Sequence, residues 1–356
     1  MIRPFGLRHC FLVRRLQKRG VQLDMERALV QARSPLWVAL TTPIPWQMNG
    51  VATYVLHARV RGRRLEGFIQ VQKRWGRAEA SLMYLAPDLG AEHAEEIWRR
   101  LLQYCCRKAG ENGVQRMYAS LPDEAEHLQV FRDAGFSLYA REELFRLKFP
   151  RPSEEVGTGD IRAVYEADDW QLKRLYAQHT PRLVQLAEGA VGGDHKPPFL
   201  TGVEWADVQS YVLAEAQEIT GLVQILSGRH GHLLRLWGDT TDSMRMVRLL
   251  HWGIQVASQK PVRPVYCAVR DYQGGLQALL EESGFEYIGH RTRLVKHIVR
   301  AEQVSAANTV TALDPRTEAI TTVSGLHISP DNGGAEQPAP VYSEEQAMNV
   351  AAMEPR

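Results

Sequence analysis

Short motifs exclude more chemistry in this chain than they offer. Its four cysteines, Cys10, Cys105, Cys106 and Cys267, form no CxxC pair, and its histidines show no HxxxH or His/Cys/Asp spacing. No zinc site, other metal centre or disulfide framework is therefore expected. The adjacent Cys105 and Cys106 fall in a helical pattern and read as small buried thiols. No GxSxG or Walker-type run is present, which leaves nucleophilic-serine and phosphate-loop enzymes without support. Two helix starts remain, where bare amides and the helix dipole favour an anion. The first, in PDLGAEHAEE, carries Glu92, Glu95 and Glu96, which repel one. The second, GDTTDSMR, offers Thr240, Thr241, Ser243 and Arg245 as donors, opposed by Asp239 and Asp242. Of the two, the second is the less hostile to an anion.

Both helix starts belong to a longer run of elements that occurs twice. EGFIQV at 66–71 answers TGLVQI at 220–225, each with strand patterning after an early glycine. A second strand follows, ASLMYLAPD to Asp88 and HLLRLWGD to Asp239. Next comes a long helix. Ala94, Ile97, Trp98, Leu101, Leu102 and Cys105 recur at helical spacing in the first copy, and Met246, Val247, Leu250, Ile254 and Ala257 do so in the second. Thr241 or Asp242 can cap the second helix. Strands VQRMYAS and VRPVYCAV follow, then short helices ending in Gly135-Phe136 and Gly284-Phe285, where glycine suits a left-handed cap. A last strand pair, around LYAREELFRLKF and YIGHRTRLVKHI, is expected to close each copy. Both copies open on strand-like segments, IRP and IRAVY.

At 356 residues and 44% hydrophobic content the chain can bury two cores of ordinary size. The boundary reads at 151–159, within a stretch of prolines and glycines. Residues 301–356 hold eight acids against two arginines and no Phe or Trp. That segment is expected to be a disordered acidic tail, because it cannot bury enough apolar area to offset its ordering entropy. The net charge of +2 then leaves about +8 on residues 1–300, scattered rather than clustered, and nucleic acid is not expected as a partner. No apolar run reaches the length needed to span a bilayer, and the basic start lacks a signal-peptide core, so a cytoplasmic protein without membrane contact is expected.

This succession of elements resembles the GNAT acyltransferase superfamily over roughly residues 2–149 and 160–299. The resemblance implies an α/β (α+β) fold of two tandem domains, 1–150 and 160–300, each a mixed twisted sheet flanked by helices. It implies acetyl-CoA or another acyl-CoA as co-substrate and direct attack of a small-molecule or peptide amine on the thioester. The motifs depart from the family pattern. Neither helix start matches Arg/Gln-x-x-Gly-x-Gly/Ala, and the family's tyrosine on the short helix is replaced by Phe131 and Leu280. The family's asparagine corresponds to Glu124 and Gln273, of which only Gln273 keeps an amide. Carried over residue by residue, the resemblance leaves Glu79 and His232 as general bases on matching strands, or as surface positions. Tyr266, with its counterpart Tyr118, can stand in as the acid, or pack. Leu234, Arg235, Leu236 and Trp237 would meet the pantetheine arm, with Thr240, Thr241, Ser243, Arg245 and Gln273 completing the cofactor groove.

Three functional readings follow. The first is an acyl-CoA-dependent N-acyltransferase that uses the second copy. The second is a non-catalytic GNAT-like ligand-binding or interaction protein, since fold alone does not fix function. The third takes a larger acyl donor such as an aminoacyl-tRNA.

Overall fold

From Val51 in the first half and Asp207 in the second, the repeat is realised as the same order of elements in the computed structural model, which describes residues 1–47, 50–60, 62–74, 76–151, 160–190, 197, 203 and 205–298. The expected tail at 301–356, and the expected linker at 151–159 apart from Arg151, lie outside the described residues. The first half runs β1 (Ile2–Pro4), α1 (Cys10–Leu16), β2 (Val21–Gln22), α2 (Met25–Gln31), α3 (Pro35–Thr41), β3 (Val51–Val60), β4 (Arg63–Lys73), β5 (Glu79–Ala86), α4 (Ala94–Glu111), β6 (Arg116–Pro122), α5 (Ala125–Asp133) and β7 (Ser137–Leu147). The second runs β8 (Ile161–Ala163), α6 (Asp169–His179), α7 (Arg182–Ala187), β9 (Asp207–Glu215), β10 (Glu218–Ser227), β11 (His232–Gly238), α8 (Ser243–Ser258), β12 (Val265–Arg270), α9 (Leu276–Glu282) and β13 (Glu286–His297).

The amphipathic stripes land as their spacing requires. Ile97, Trp98, Leu101, Leu102 and Cys105 of α4 are buried in one core with Ile69, Leu82 and Met117. Met246, Leu250, Ile254 and Ala257 of α8 are buried in another with Val223, Leu234 and Cys267, while Val247 packs at its margin. Asp242 caps α8, its carboxylate accepting from the Arg245 amide at 3.1 Å. Gly135 and Gly284 stand at φ 84° and 83°, the left-handed geometry that closes α5 and α9 and turns Phe136 and Phe285 into the cores.

The closing strands depart from expectation. Each is one long strand rather than a pair, and each completes the other half's sheet. The strands order as β1-β3-β4-β5-β6-β13-β7-β12-β11-β10-β9-β8. β13 lies antiparallel to β6, from Arg291↔Pro122 to His297↔Arg116, and β7 lies antiparallel to β12, from Val265↔Leu147 to Arg270↔Glu142. The two exchanged strands also pair with each other, which makes one continuous sheet. Alternation in sequence tells which face of a strand is buried, not which neighbour it takes, so the exchange leaves no local trace. The helices interleave too. Val30 of α2 packs on Leu226 and Leu233 of the second half, and Val184 and Ala187 of α7 pack on Tyr118 and Tyr139 of the first.

Candidate functional site

Each half contains one parallel strand pair that splays, and the two splays differ. β5 and β6 pair only at Glu79↔Arg116, Ala80↔Met117 and Ser81↔Tyr118. Beyond Ser81 the gap is filled by the chain itself. Val21 pairs with Leu85 and Gln22 with Tyr84. The Leu23 amide donates to the Met83 carbonyl at 2.9 Å, and the Leu23 carbonyl accepts from the Ser120 amide at 2.8 Å. The Arg291 guanidinium donates to the Gln22 carbonyl at 2.6 Å. Gly20 permits this approach, since a Cβ there would stand 2.7 Å from the Leu85 carbonyl oxygen. Backbone groups of the first wedge are thus paired internally, as buried amides must be.

In the second half β11 and β12 pair at His232↔Val265, Leu233↔Tyr266 and Leu234↔Cys267. Past Leu234 no strand among the described residues pairs with β11 on that side. The Gln273 side chain bridges the gap instead, donating from Nε2 to the Leu236 carbonyl at 3.0 Å and accepting from the Arg270 amide at 3.0 Å. This wedge opens onto a cavity of about 800 Å³ between the halves, lined by Arg235, Leu236, Trp237, Ala268, Arg270 and Gln273 from the second half.

The cavity wall is a network of buried ion pairs drawn from distant parts of the chain. Glu26 of α2 accepts from both Arg235 and Arg293. Glu142 of β7 accepts from Arg293 Nε at 2.7 Å through Oε2, and its Oε1 is buried with no hydrogen-bond partner. Glu188 accepts from Arg270 Nη2 at 2.6 Å and from the Tyr176 hydroxyl at 2.6 Å. Arg270 also donates to the Tyr272 hydroxyl oxygen at 2.9 Å. Burial pushes the carboxyls of Glu26 and Glu188 upward, but the facing guanidiniums outweigh it, Arg235 and Arg293 at Glu26 and Arg270 at Glu188. Both carboxyls are held below their usual range. Burial raises the phenols of Tyr118 and Tyr139.

Of the residues chosen from sequence, Glu79, Arg235, Leu236, Trp237 and Gln273 line this cavity. Glu79 is gripped by Arg74, Arg77 and Arg116 at 3.0 to 3.2 Å. Leu234 is fully buried in the second core. His232 and Tyr266 are not brought to the cavity. His232 is buried at the far end of β11 with Nδ1 2.9 Å from Ser227 Oγ, and burial lowers its pKa. Tyr266 packs with Val30, Leu226 and Leu233, while its counterpart Tyr118 does line the cavity and donates to the Ala187 carbonyl at 3.0 Å. At the start of α8 two of the four expected donors, Thr241 and Arg245, are already engaged. Asp239 accepts from the Thr241 amide at 2.9 Å and its hydroxyl at 2.6 Å, and Arg245 pairs with Glu215 at 2.8 Å and Asp242 at 3.1 Å. Ser243 is the first residue of that helix, and the Thr240 carbonyl lies against Gly275.

Sequence reasoning missed Glu26, Glu142, Glu188, Arg270 and Arg293. The available signal was the charge at buried positions of strands, Glu142 in β7 and Arg291 and Arg293 in β13. Among the described residues no cluster of three metal-ligating side chains occurs, and no helix is long and apolar enough to cross a membrane.

No family model and no curated protein matches the sequence. The structure is similar to a GCN5-related N-acetyltransferase from Sphaerobacter thermophilus, with TM-score 0.51 and 13% identity over 84% of this chain and 96% of that one. Lower on the scale are a tandem GNAT protein from the clavulanic acid biosynthesis pathway (TM-score 0.44, 12% identity, 85% and 99% covered) and a GCN5-related N-acetyltransferase from Kribbella flavida (TM-score 0.41, 12% identity, 65% and 86% covered). The element order, the two splayed strand pairs and the similarity to the Sphaerobacter structure over 84% of this chain together give it the fold of the GNAT superfamily.

Proposed function

We propose that the chain transfers an acyl group from acetyl-CoA or another acyl-CoA to an amine, with the donor in the wedge of the second half and the amine at Glu142. The observation that carries this is the asymmetry of the wedges: Val21–Gln22 and Leu23 close the first, while the second opens onto the cavity. A pantetheine arm would enter the gap past Leu234, between Leu236–Trp237 and Ala268–Arg270, by displacing the Gln273 side chain from the Leu236 carbonyl. The fit is poorer at the pyrophosphate end, because Asp239 and Asp242 already cap the amides of Thr241 and Arg245.

When bound, the thioester supplies the acyl group. The acceptor nitrogen forms the new C–N bond as the C–S bond breaks. Glu142 takes the amine's proton on Oε1, the oxygen with no hydrogen-bond partner, once the acceptor displaces the packing that buries it, while Arg293 keeps Oε2 in place. Arg270 is the register partner of Glu142 on β12, so the base stands beside the wedge. Tyr272 accepts from Arg270, which turns its own O–H away from that donor and leaves it to protonate the departing thiolate.

Titration calorimetry with acetyl-CoA and longer acyl-CoAs tests the donor site. Ala268→Phe, which fills the wedge, is expected to abolish binding, and Glu95→Ala at α4 to leave it unchanged. Glu142→Gln should keep donor binding and lower acyl transfer by roughly 10²- to 10⁴-fold, as loss of a general base does. The capped amides of α8 favour the non-catalytic reading, and absence of binding by every acyl-CoA would select it.

A further inference from the structure

The positive charge of the chain is concentrated at its start. Residues 1–66 hold twelve arginines or lysines against three acids, a net +9, whereas residues 67–300 hold 29 against 30. The fold sets much of this charge beside exposed apolar side chains. α1 and α3 pack against each other on one face of the sheet, burying Leu12, Val13, Val38 and Ala39 against Val55 and Phe68. The Gln17 side-chain oxygen joins the two helices, accepting from the Ser34 hydroxyl at 2.8 Å and the Leu36 amide at 3.2 Å. Their other sides face outward. Leu7, Phe11, Arg14, Arg15 and Lys18 follow at three- and four-residue spacing along one exposed face of α1 and the turn before it. Trp37, Leu40 and Ile44 do the same along α3 and the loop after it. Leu7 is 81%, Phe11 76% and Trp37 62% exposed. Beside α1 lies a hollow of about 470 Å³ with Phe11, Arg3, Arg8, Arg15 and Arg64 in its wall. Glu66, which accepts from Arg15 and Arg64, is the one carboxylate among its described lining residues.

We propose that this face seats the chain on the surface of a bilayer rich in anionic lipid, with Leu7, Phe11 and Trp37 entering the headgroup region and the basic side chains meeting the lipid charges. Single exposed apolar residues are ordinary on a protein surface. Here, however, six of the fifteen large ones exposed among the described residues fall within the first 44 residues, on two helices packed side by side. Apolar and basic side chains sharing one face are the chemistry of a segment that lies in a membrane interface. Aromatic side chains settle at headgroup depth, and guanidiniums are drawn to the negative potential of anionic lipid. Nucleic acid would satisfy the arginines and stack on Phe11 or Trp37, but it would leave Leu7, Leu40 and Ile44 in water. A second copy meeting the same face would set two strongly basic surfaces against each other. The contact is with the surface alone, since among the described residues no helix is long and apolar enough to cross. The expected lack of membrane contact follows from apolar runs along the chain, which do not register a face assembled from two helices. The proposal does not rest on acyl transfer.

The test is co-sedimentation of the whole chain with vesicles of phosphatidylcholine alone and of equal parts phosphatidylcholine and phosphatidylserine, at low and at high salt. Saturable binding to the anionic vesicles is expected, weakened by salt and absent from the neutral ones. Arg14→Gln combined with Lys18→Gln should weaken it at least tenfold, since each basic side chain near an anionic surface contributes roughly fivefold. Leu7→Ser combined with Phe11→Ser keeps every charge and should also weaken it at least tenfold. Trp170→Ser, at an aromatic of α6 that is 68% exposed, should leave it unchanged. Circular dichroism checks that each variant folds, and Trp37→Ser on α3 carries the apolar comparison if the α1 variant does not. Absence of binding to anionic vesicles, equal binding to neutral ones, or full binding by the apolar variants overturns the proposal. So does tighter binding of an RNA or DNA duplex that survives Leu7→Ser with Phe11→Ser, which would assign the arginines to nucleic acid. A dimer in sedimentation velocity that Phe11→Ser dissolves would give the face to a second copy and overturn it too. Vesicle binding by a protein that binds no acyl-CoA would refute the transferase reading and leave this surface standing.

Discussion

Arg293 of β13 donates through Nε to Oε2 of Glu142 on β7 at 2.7 Å, and the strands that carry these two residues have each left their own half of the chain. The pair thus joins the exchanged strands to each other and to Glu26 of α2. The strand exchange and the candidate base share one set of hydrogen bonds.

Neither half should fold alone. Residues 1–150 lack the strand that covers β6, and residues 160–300 lack the one that covers β12. Expressed separately, each is expected to be insoluble or unfolded by circular dichroism, and co-expression should recover a soluble complex. A cooperative unfolding transition in either isolated half would show that its final strand can return to its own sheet.

Gly20→Ala tests the plug in the first wedge. Its Cβ would meet Tyr84, the Leu85 carbonyl and Ala86 within 2.8 Å, so the segment leading into β2 must shift. A loss of about 1 to 3 kcal/mol is expected from urea unfolding, typical of overpacking. Affinity for acyl-CoA should be unchanged. A gain in affinity would mean that opening the first wedge creates a donor site there.

Asp242→Asn keeps a good helix cap and removes a charge from the start of α8. Stability should change by a few tenths of a kcal/mol or less, and acyl-CoA should bind more tightly, roughly by the 0.3 to 1 kcal/mol typical of a charge at a helix end. Unchanged affinity measured by calorimetry would place the donor's phosphates away from this helix.

Acid should destabilise the fold in two stages. Burial lowers His232 below its ordinary 6.5, so the neutral form is favoured in the folded state. Its contribution is complete above that value and is lost as pH falls through it. Glu26 and Glu188 sit below their ordinary 4.5, so their contribution is complete above 4.5 and fades at lower pH. Asp24, raised by burial, works in the opposite direction in the second stage. Urea unfolding at pH 7, 5.5 and 4 should therefore show two successive losses, and His232→Gln should reduce the first, in which His9 also shares, and leave the second unchanged. Equal slopes in the variant and the parent would remove His232 from the account.

Much of the fold was legible because it is written locally. The α4 and α8 stripes, the Gly-Phe helix ends and the succession of strands and helices along the chain each depend on residues a few positions apart. The candidate site was half legible. Arg235, Leu236, Trp237 and Gln273 follow from the place of β11 and α9 in the repeat, and Glu79 from the matching strand. Glu26, Glu142 and Arg293 do not, because their meeting depends on strand exchange and on α2 crossing to the second half. Two-residue β2 gave no periodicity to read, yet its pairing decides which wedge is closed. His232 and Tyr266 were chosen by strand alone. The face and end of the strand on which each sits keep both away from the cavity.

The exchanged order of strands also matters while the chain is being made. β6 is complete in sequence once residue 122 has been added, but the strand that covers its outer edge runs from Arg291 to His297 in that pairing. At about 5 to 20 residues per second, that edge stands uncovered for roughly ten to thirty seconds. Bare edges pair with whatever strand arrives first. On a polysome, the nearest matching strand belongs to the neighbouring nascent chain, and the last strand of an older copy can reach the edge of a younger one. Slow synthesis between β6 and β13 should thus raise the share of intertwined dimers at constant protein concentration.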